Sequence, residues 1–369
     1  MKLSPLNQRR WRNFRKNRRA FWSLIVFSVL FTICLFAEFV ANDRPILLSY
    51  KGQIMAPVLG TQYEESEFGG DPGFIAEFSN PVVQCLIVSG GLEDCFDFPE
   101  EVIEDAADGM VAGEAIDKGW MIWPPIPYSY RTVNYEITQA PSAPDANHWL
   151  GTDDQTRDVL ARVIYGFRIS VLFALTVTVC SSVIGVIAGA VQGYFGGWLD
   201  LIFQRLIEIW GATPSLYVII IMGAIFTMNF ALLTFLIVLF SWTQLVGVVR
   251  AEFYRARNFE YVRAARALGV SDRVIMFRHM LPNAMVATIT LLPFIVTGSL
   301  GTLAGLDFLG FGLPSSYPSL GELARQGKAN LQSPHLAITA FVTLTVILSL
   351  LVFIFEGVRD AFDPRKTFS

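Results

Sequence analysis

Residues 250–283 read RAEFYRARNFEYVRAARALGVSDRVIMFRHMLPN, and the fold turns on whether this stretch lies in lipid or in water. It carries Arg250, Arg255, Arg257, Arg263, Arg266, Arg273 and Arg278 between two long apolar runs. One arginine at a bilayer centre costs about 2.5–3.5 kcal/mol on insertion scales. Seven in one segment keep it out of the hydrocarbon, so the stretch reads as a polar loop between membrane spans. Inside it, Tyr261, Ala264, Ala265 and Leu268 recur at i, i+3, i+4 and i+7, one stripe of an α-helix. Gly269 follows where a helix closes on a left-handed residue. Ser271 is placed to cap a second short helix, which Pro282 stops. Two short helices at a right-angled turn, with small residues on the exposed stripe, suit insertion into a groove on another protein. The competing reading is a basic amphipathic helix lying on anionic headgroups. The paired alanines count against it, because such a helix wants large apolar residues where this one has small ones.

Outward from the loop, the 369 residues are 53% hydrophobic with a mean hydropathy of +0.46, and the apolar residues come in blocks. Six blocks are long enough to span a bilayer: Phe21–Ala41, Ile169–Gln192, Phe203–Phe226, Ala231–Val249, Ala284–Leu303 and His335–Glu356. The expected fold is an all-α integral membrane protein with a small mixed domain inserted between helices 1 and 2. Its parts are a basic N-terminus (1–20), a first span (21–41), an acidic domain (42–150) and a core (151–369).

The net charge of −4 hides a segregation. Residues 1–19 carry Lys2, Arg9, Arg10, Arg12, Arg15, Lys16, Arg18 and Arg19 and no acid. Residues 42–158 hold roughly twenty acids against about five bases. With the N-terminus inside, one span places 42–150 outside, four return the arginine loop inside, and six leave Arg359, Arg365 and Lys366 inside. Three basic clusters then share one side. A nucleic-acid role for the basic N-terminus is disfavoured, since the run abuts a span and no nucleic-acid fold surrounds it. Phe21–Ala41 is too long for a signal-peptide core and lacks an A-x-A site. Trp11, Phe14 and Trp22 suit an interfacial belt.

Cys85 and Cys95 lie ten residues apart in the acidic segment, either paired as a disulfide or as two free thiols. Cys34 and Cys180 fall in apolar spans and read as packing residues. Leu150–Ser170 reads as an interfacial helix with the stripe Leu160, Val163, Ile164 and Phe167. Asp153, Asp154 and Asp158 lack EF-hand spacing and suit a helix N-terminus better than a cation site. Gly185, Gly189 and Gly193 form two overlapping G-x-x-x-G steps, a close-packing face in lipid. Arg205 and Glu208 are three apart and able to pair, as a structural contact or a gate. Pro214 kinks the third span or starts its regular apolar part, and Pro293 kinks the fifth.

The spacing Ala264-Ala265-x-x-x-Gly269, nine residues, then His279-x-Leu281-Pro282 resembles the loop signature of permease subunits of binding-protein-dependent ABC importers. Arg263 stands where that family has Glu, and His279 where it often has Ile. LGTDDQTRDVLARVIYG, YVRAARALG and RHMLPN are similar to the peptide-importing branch, and Leu306–Pro314 matches that family's outer loop L-x-F-L-G-x-G-x-P. The N-terminal segment and WPPIPYSY resemble the subgroup importing oligopeptides and microcin C. The resemblance implies an ABC importer permease fold and a bacterial inner-membrane location with cytoplasmic termini. It also implies partners: a second permease subunit, a cytoplasmic ATPase that binds the ATP, and a periplasmic binding protein that delivers peptide. Tyr261, Ala264, Ala265, Leu268, Gly269, His279, Leu281 and Pro282 then form the ATPase-docking coupling segment, with Arg263 and Arg266 on its opposite side.

No GxxxxGK[ST], HExxH or GxSxG is present, so the chain itself carries no P-loop, metalloprotease or serine-hydrolase signature. His148, His279 and His335 fall in separate segments with no Cys at metal-ligand spacing, and no metal is expected. A proton-coupled transporter would carry carboxylates within its spans, whereas Glu38, Glu208 and Glu356 lie near span ends. The alternatives are a self-contained secondary transporter or channel, separated by whether uptake needs ATP, and a receptor module on membrane anchors.

Overall fold

The computed structural model describes residues 5–106, 110–111 and 114–362. Lys2, Arg365 and Lys366, singled out above, lie outside them. The chain divides into two compact units, Met1–Phe31 with Gly166–Ser369, and Thr32–Tyr165.

The first unit opens with two helices, α1 (Pro5–Lys16) and α2 (Arg18–Leu35). Asn17 breaks them and caps the second, its Oδ1 accepting the Ala20 amide at 3.2 Å. Phe14 is not exposed, as a belt residue would be. It is buried with Ala20 and Ala361, the last from the closing helix of the chain. The first span is shorter than its apolar run, since α2 ends at Leu35.

Among the described residues, five helices are long and apolar enough to cross a membrane, or six if one bent pair is a single span. Besides α2, they include α5 (Val159–Phe195) and the bent pair α6 (Gly197–Gly211) and α7 (Ser215–Ile225). The others are α8 (Phe230–Ala256), α10 (Asp272–Leu309) and α12 (Pro334–Phe362). Between them lie α9 (Glu260–Ala267) and α11 (Leu320–Ala329).

Several boundaries differ from the hydropathy reading. Leu160–Phe167 is not a separate interfacial helix but the first turns of α5, whose 37 residues run about 55 Å. The third span is broken by 66° at Ala212–Pro214, because proline removes an amide and obstructs the preceding turn. The fourth continues to Ala256, which puts Arg250 and Arg255 on a helix rather than in a loop. Arg250 is tolerated there because its Nε and Nη2 donate to the two Asp200 oxygens, at 2.5 and 2.7 Å. The segment between the last two spans contains α11. Its Leu320 and Leu323 are buried, and Gly321 packs on the Ala304 carbonyl of α10.

The three glycines of α5 face α8. A Cβ on Gly185 would lie 2.5 Å from the Trp242 carbonyl oxygen, and one on Gly189 2.8 Å from that of Val246. On Gly193 it would collide with the Arg250 carbonyl and stand 2.6 Å from Phe253 Cβ. Apolar surface gains little by leaving lipid for another helix, so backbone approach of this kind holds spans together. Ser181 and Ser241 hydroxyls bond across the same seam at 2.5 Å.

The second unit is built on a three-stranded antiparallel sheet in the order β2-β1-β5. Its strands are β1 (Leu47–Tyr50), β2 (Gln53–Met55) and β5 (Trp120–Ile122), and a short hairpin pairs β3 (Met110–Val111) with β4 (Glu114–Ala115). Leu48, Tyr50, Phe68 and Phe78 pack with Val83, Leu86 and Ile87 of α3 (Pro81–Ser89), and α4 (Pro99–Asp105) lies beside it. Asn80 caps α3, and Pro81 supplies its first residue.

Cys85 and Cys95 are disulfide-bonded, with Cα atoms 5.6 Å apart and both residues wholly buried. Closing a loop of this length restricts the unfolded chain by about 2–3 kcal/mol. The double variant Cys85→Ser/Cys95→Ser should therefore unfold this unit earlier. Limited proteolysis under non-reducing conditions reads it, and a digestion rate equal to the parent's would contradict it.

Two of the three acids near the start of α5, Asp153 and Asp158, are held by partners within the fold. Asp153 Oδ2 pairs with Arg157 at 2.6 Å and stands 3.4 Å from Arg162 Nε. Asp158 Oδ1 accepts the Ala161 amide at 2.7 Å, and its Oδ2 meets His148 Nδ1 at 2.9 Å.

Candidate functional site

The arginine-rich stretch folds as a short exposed helix on a buried pin. Helix α9 leaves α8 through a three-residue turn and ends in a Schellman closure. Gly269 is left-handed at φ 77°, its amide donates to the Arg266 carbonyl at 3.0 Å, and the Val270 amide reaches the Ala265 carbonyl at 3.1 Å. Ser271 occupies the next N-cap position, though without a side-chain cap bond.

The second helix is not short, and Pro282 does not stop it. Asp272–Val274 passes into a π-helical turn, Ile275–Met280, and then into Leu281–Leu309. Proline lacks an amide and crowds the carbonyl four residues back. A wider i→i+5 turn just before it relieves both problems. The arginine-rich segment is therefore one exposed helix joined to the end of a 38-residue helix.

Tyr261, Ala264, Leu268 and Gly269 are exposed, Leu268 at 83%. Ala265 is half-buried, and Val262, which the stripe omits, is 0% exposed. Val262 packs with Ala190 and Tyr194 of α5, with Val249 and Phe253 of α8, and with Ile275 and Met280 of α10. His279 and Leu281 are partly buried on the π turn and its exit, and Pro282 is exposed. Asn283 Nδ2 donates to the Tyr261 hydroxyl at 3.3 Å, bringing the two ends of the segment together.

The arginines divide into two groups. Arg250 is held by Asp200, Arg255 pairs with Glu252 at 2.5 Å, and Arg257 lies 4.1 Å over the Tyr254 ring. Arg266 is exposed. It lies 5.3 Å over Tyr194, whose hydroxyl donates to Asp272. Hydrogen bonding to Tyr194 raises the Arg266 guanidinium above its ordinary value, so it stays charged. Arg263, Arg273 and Arg278 are exposed and make no ion pair among the described residues.

Residues 181–368 match the family described as binding-protein-dependent transport system inner membrane component. The chain belongs to that permease family. Residues 4–56 of this permease match the N-terminal TM domain of oligopeptide transport permease C. It is 53% identical to a peptidoglycan transport system permease protein, YejE, of Agrobacterium fabrum, over 99% of this chain and 95% of that protein. It is 50% identical to the inner membrane ABC transporter permease protein YejE of Escherichia coli K12, over 99% of both. It is 31% identical to the dipeptide transport system permease protein DppC of Bacillus subtilis, over 64% of this chain and 74% of that protein. The permease is thus a multi-pass inner-membrane transport component.

The signature Leu306–Pro314 has a physical centre that pattern reading missed. Asp307 is buried; its Oδ1 accepts the Leu313 amide at 2.7 Å and its Oδ2 the Ser319 hydroxyl at 2.5 Å. Ser319 in turn caps α11 through the Glu322 amide at 3.2 Å. Gly312 lies directly against the Asp307 carboxyl, where any Cβ would collide. The sequence signal was one acid inside an otherwise apolar run, Leu306–Leu309.

Proposed function

We propose that the permease forms half of the passage of an ATP-driven importer for oligopeptides, with a second permease subunit supplying the other half. A cytoplasmic ATPase grips α9, and a periplasmic binding protein delivers the substrate. ATP belongs to the ATPase. The N- and C-termini and α9 lie in the cytoplasm, and residues 42–150 in the periplasm. Peptidoglycan, oligopeptide and dipeptide transport, named among the similar proteins, share a peptide chain. Peptide conjugates of the microcin C kind fall in the same class.

The observation that carries this reading is the exposed face of α9 on its buried pin. Tyr261, Ala264, Leu268 and Gly269 offer a face that is small at Ala264 and Gly269, where a partner backbone approaches closely. Arg263, Arg273 and Arg278 add unneutralised positive charge for acids on that partner. Val262 ties this face to α5, α8 and α10 at once. Close-packed interiors transmit displacement instead of absorbing it. Movement of α9 by the ATPase would therefore shift three helices together, between inward and outward access.

Leu268→Asp and Ala264→Trp test this without touching the pin, whereas a large side chain at half-buried Ala265 would confound docking with folding. Each should lower ATP-dependent uptake of a labelled oligopeptide at least about tenfold. Membrane insertion and protein level should match the parent. Normal uptake in both variants would remove the docking role.

A further inference from the structure

Residues 42–158 contain five basic side chains, Arg44, Lys51, Lys118, Arg131 and Arg157, against about twenty acids. With such an excess of acid, every arginine has carboxylates to choose from. Arg157 takes Asp153. Arg44 and Arg131 take none among the described residues: Arg44 reaches only the Thr61 carbonyl, at 3.4 Å, and Arg131 lies 5.0 Å over the Tyr130 ring. Both line one recess of about 490 Å³ within the second unit. Glu77 lines the same recess and likewise makes no ion pair among the described residues. Asp43, the other acid there, is occupied by the hydroxyls of Ser129 and Thr132, at 3.1 and 2.8 Å. The lining also includes Ile75 and Tyr135, which the fold leaves 54% and 92% exposed.

A recess of a few hundred Å³ in which apolar side chains and a few separated polar groups share the lining is a form a small-ligand site takes. Here the groups are two cations and one anion left unneutralised by the chain. We infer that this recess binds a short zwitterionic peptide, its terminal carboxylate on Arg44 and Arg131 and its ammonium toward Glu77, with a side chain against Ile75 and Tyr135. Guanidinium groups take a carboxylate by paired N–H donors, which favours a terminal carboxylate over a backbone carbonyl. The surrounding acids repel a ligand of net negative charge but admit one whose charges cancel. The substrate class rests on the importer reading above, while the recess itself rests on these residues alone.

Trialanine is the probe, titrated by calorimetry onto the full chain in lipid nanodiscs with no ATPase present. Trialanine amide should bind about tenfold more weakly or worse, as should trialanine on Arg44→Gln or Arg131→Gln. N-acetyl-trialanine, and trialanine on Glu77→Gln, should show a comparable loss. Arg131→Lys should retain more affinity than Arg131→Gln, which separates lost charge from lost folding, and an intact Cys85–Cys95 bond reports a folded unit. Absence of trialanine binding, or binding indifferent to amidation and to both arginine variants, overturns the proposal. ATP-driven peptide uptake without binding at this recess would remove the recess and leave the importer standing. Recess binding without such uptake in the complete complex would do the reverse.

Discussion

Gly193→Leu should cost the permease about 3 kcal/mol or more and prevent stable packing of α5 on α8. The added Cβ alone would collide with the Arg250 carbonyl and press on Phe253 Cβ, and three further carbons have no space to enter. Phe253 is itself wholly buried beside Val262, so it cannot swing aside without opening the cluster that pins α9. Within lipid, a separated pair of helices loses its contacts with no hydrophobic penalty to draw them together again. The measurement is thermal unfolding of the purified permease in detergent, alongside Gly247→Ala. Gly247 also lies on α8, but a Cβ there meets nothing within 4 Å, so that change should be neutral or slightly stabilising. Equal melting temperatures for Gly193→Leu and the parent would show that the seam is not close-packed.

Asp307→Ala should destabilise by about 2–4 kcal/mol, because two buried donors lose their acceptor together. The Leu313 amide and the Ser319 hydroxyl have no water to turn to where Asp307 is 2% exposed. The damage should spread, since Ser319 caps α11, and α11 packs on α10 through Gly321. Asp307→Asn should be milder, as an amide keeps one acceptor while meeting a donor with a donor. Melting temperature and protease cleavage within residues 310–319 read the effect. A shift below about 2 °C with no new cleavage would mean the carboxyl is not what closes this loop.

The membrane class was legible in the amino-acid order because lipid imposes a composition. Apolar blocks of about twenty residues, basic clusters at the N-terminus and in 250–283, and an acidic stretch after the first span are one-dimensional signals. The glycine ladder was legible for the same reason: small residues every fourth position have few uses other than close approach. The stripe proposed above for docking was half legible. Residues 261–268 carry two overlapping helical faces, Tyr261–Ala264–Leu268 and Val262–Ala265, and periodicity does not say which faces inward. Placement of α5, α8 and α10 around Val262 settles that.

Hydropathy also locates the lipid but not the ends of the helices. Helix α5 begins ten residues before its apolar core, α8 runs past Arg250, and α10 starts twelve residues before its apolar run and passes through Pro282. The α8 extension past Arg250 and the polar start of α10 survive because other parts of the chain supply what lipid cannot: Asp200 for Arg250, Tyr194 for Asp272, and a π turn ahead of Pro282. Which segments enter the membrane follows from transfer free energies, which add residue by residue along the chain. Where the helices stop, and which face of α9 is left exposed, follows from ion pairs, hydrogen bonds and packing between residues about 50 to 80 positions apart, and these exist only once the chain has folded.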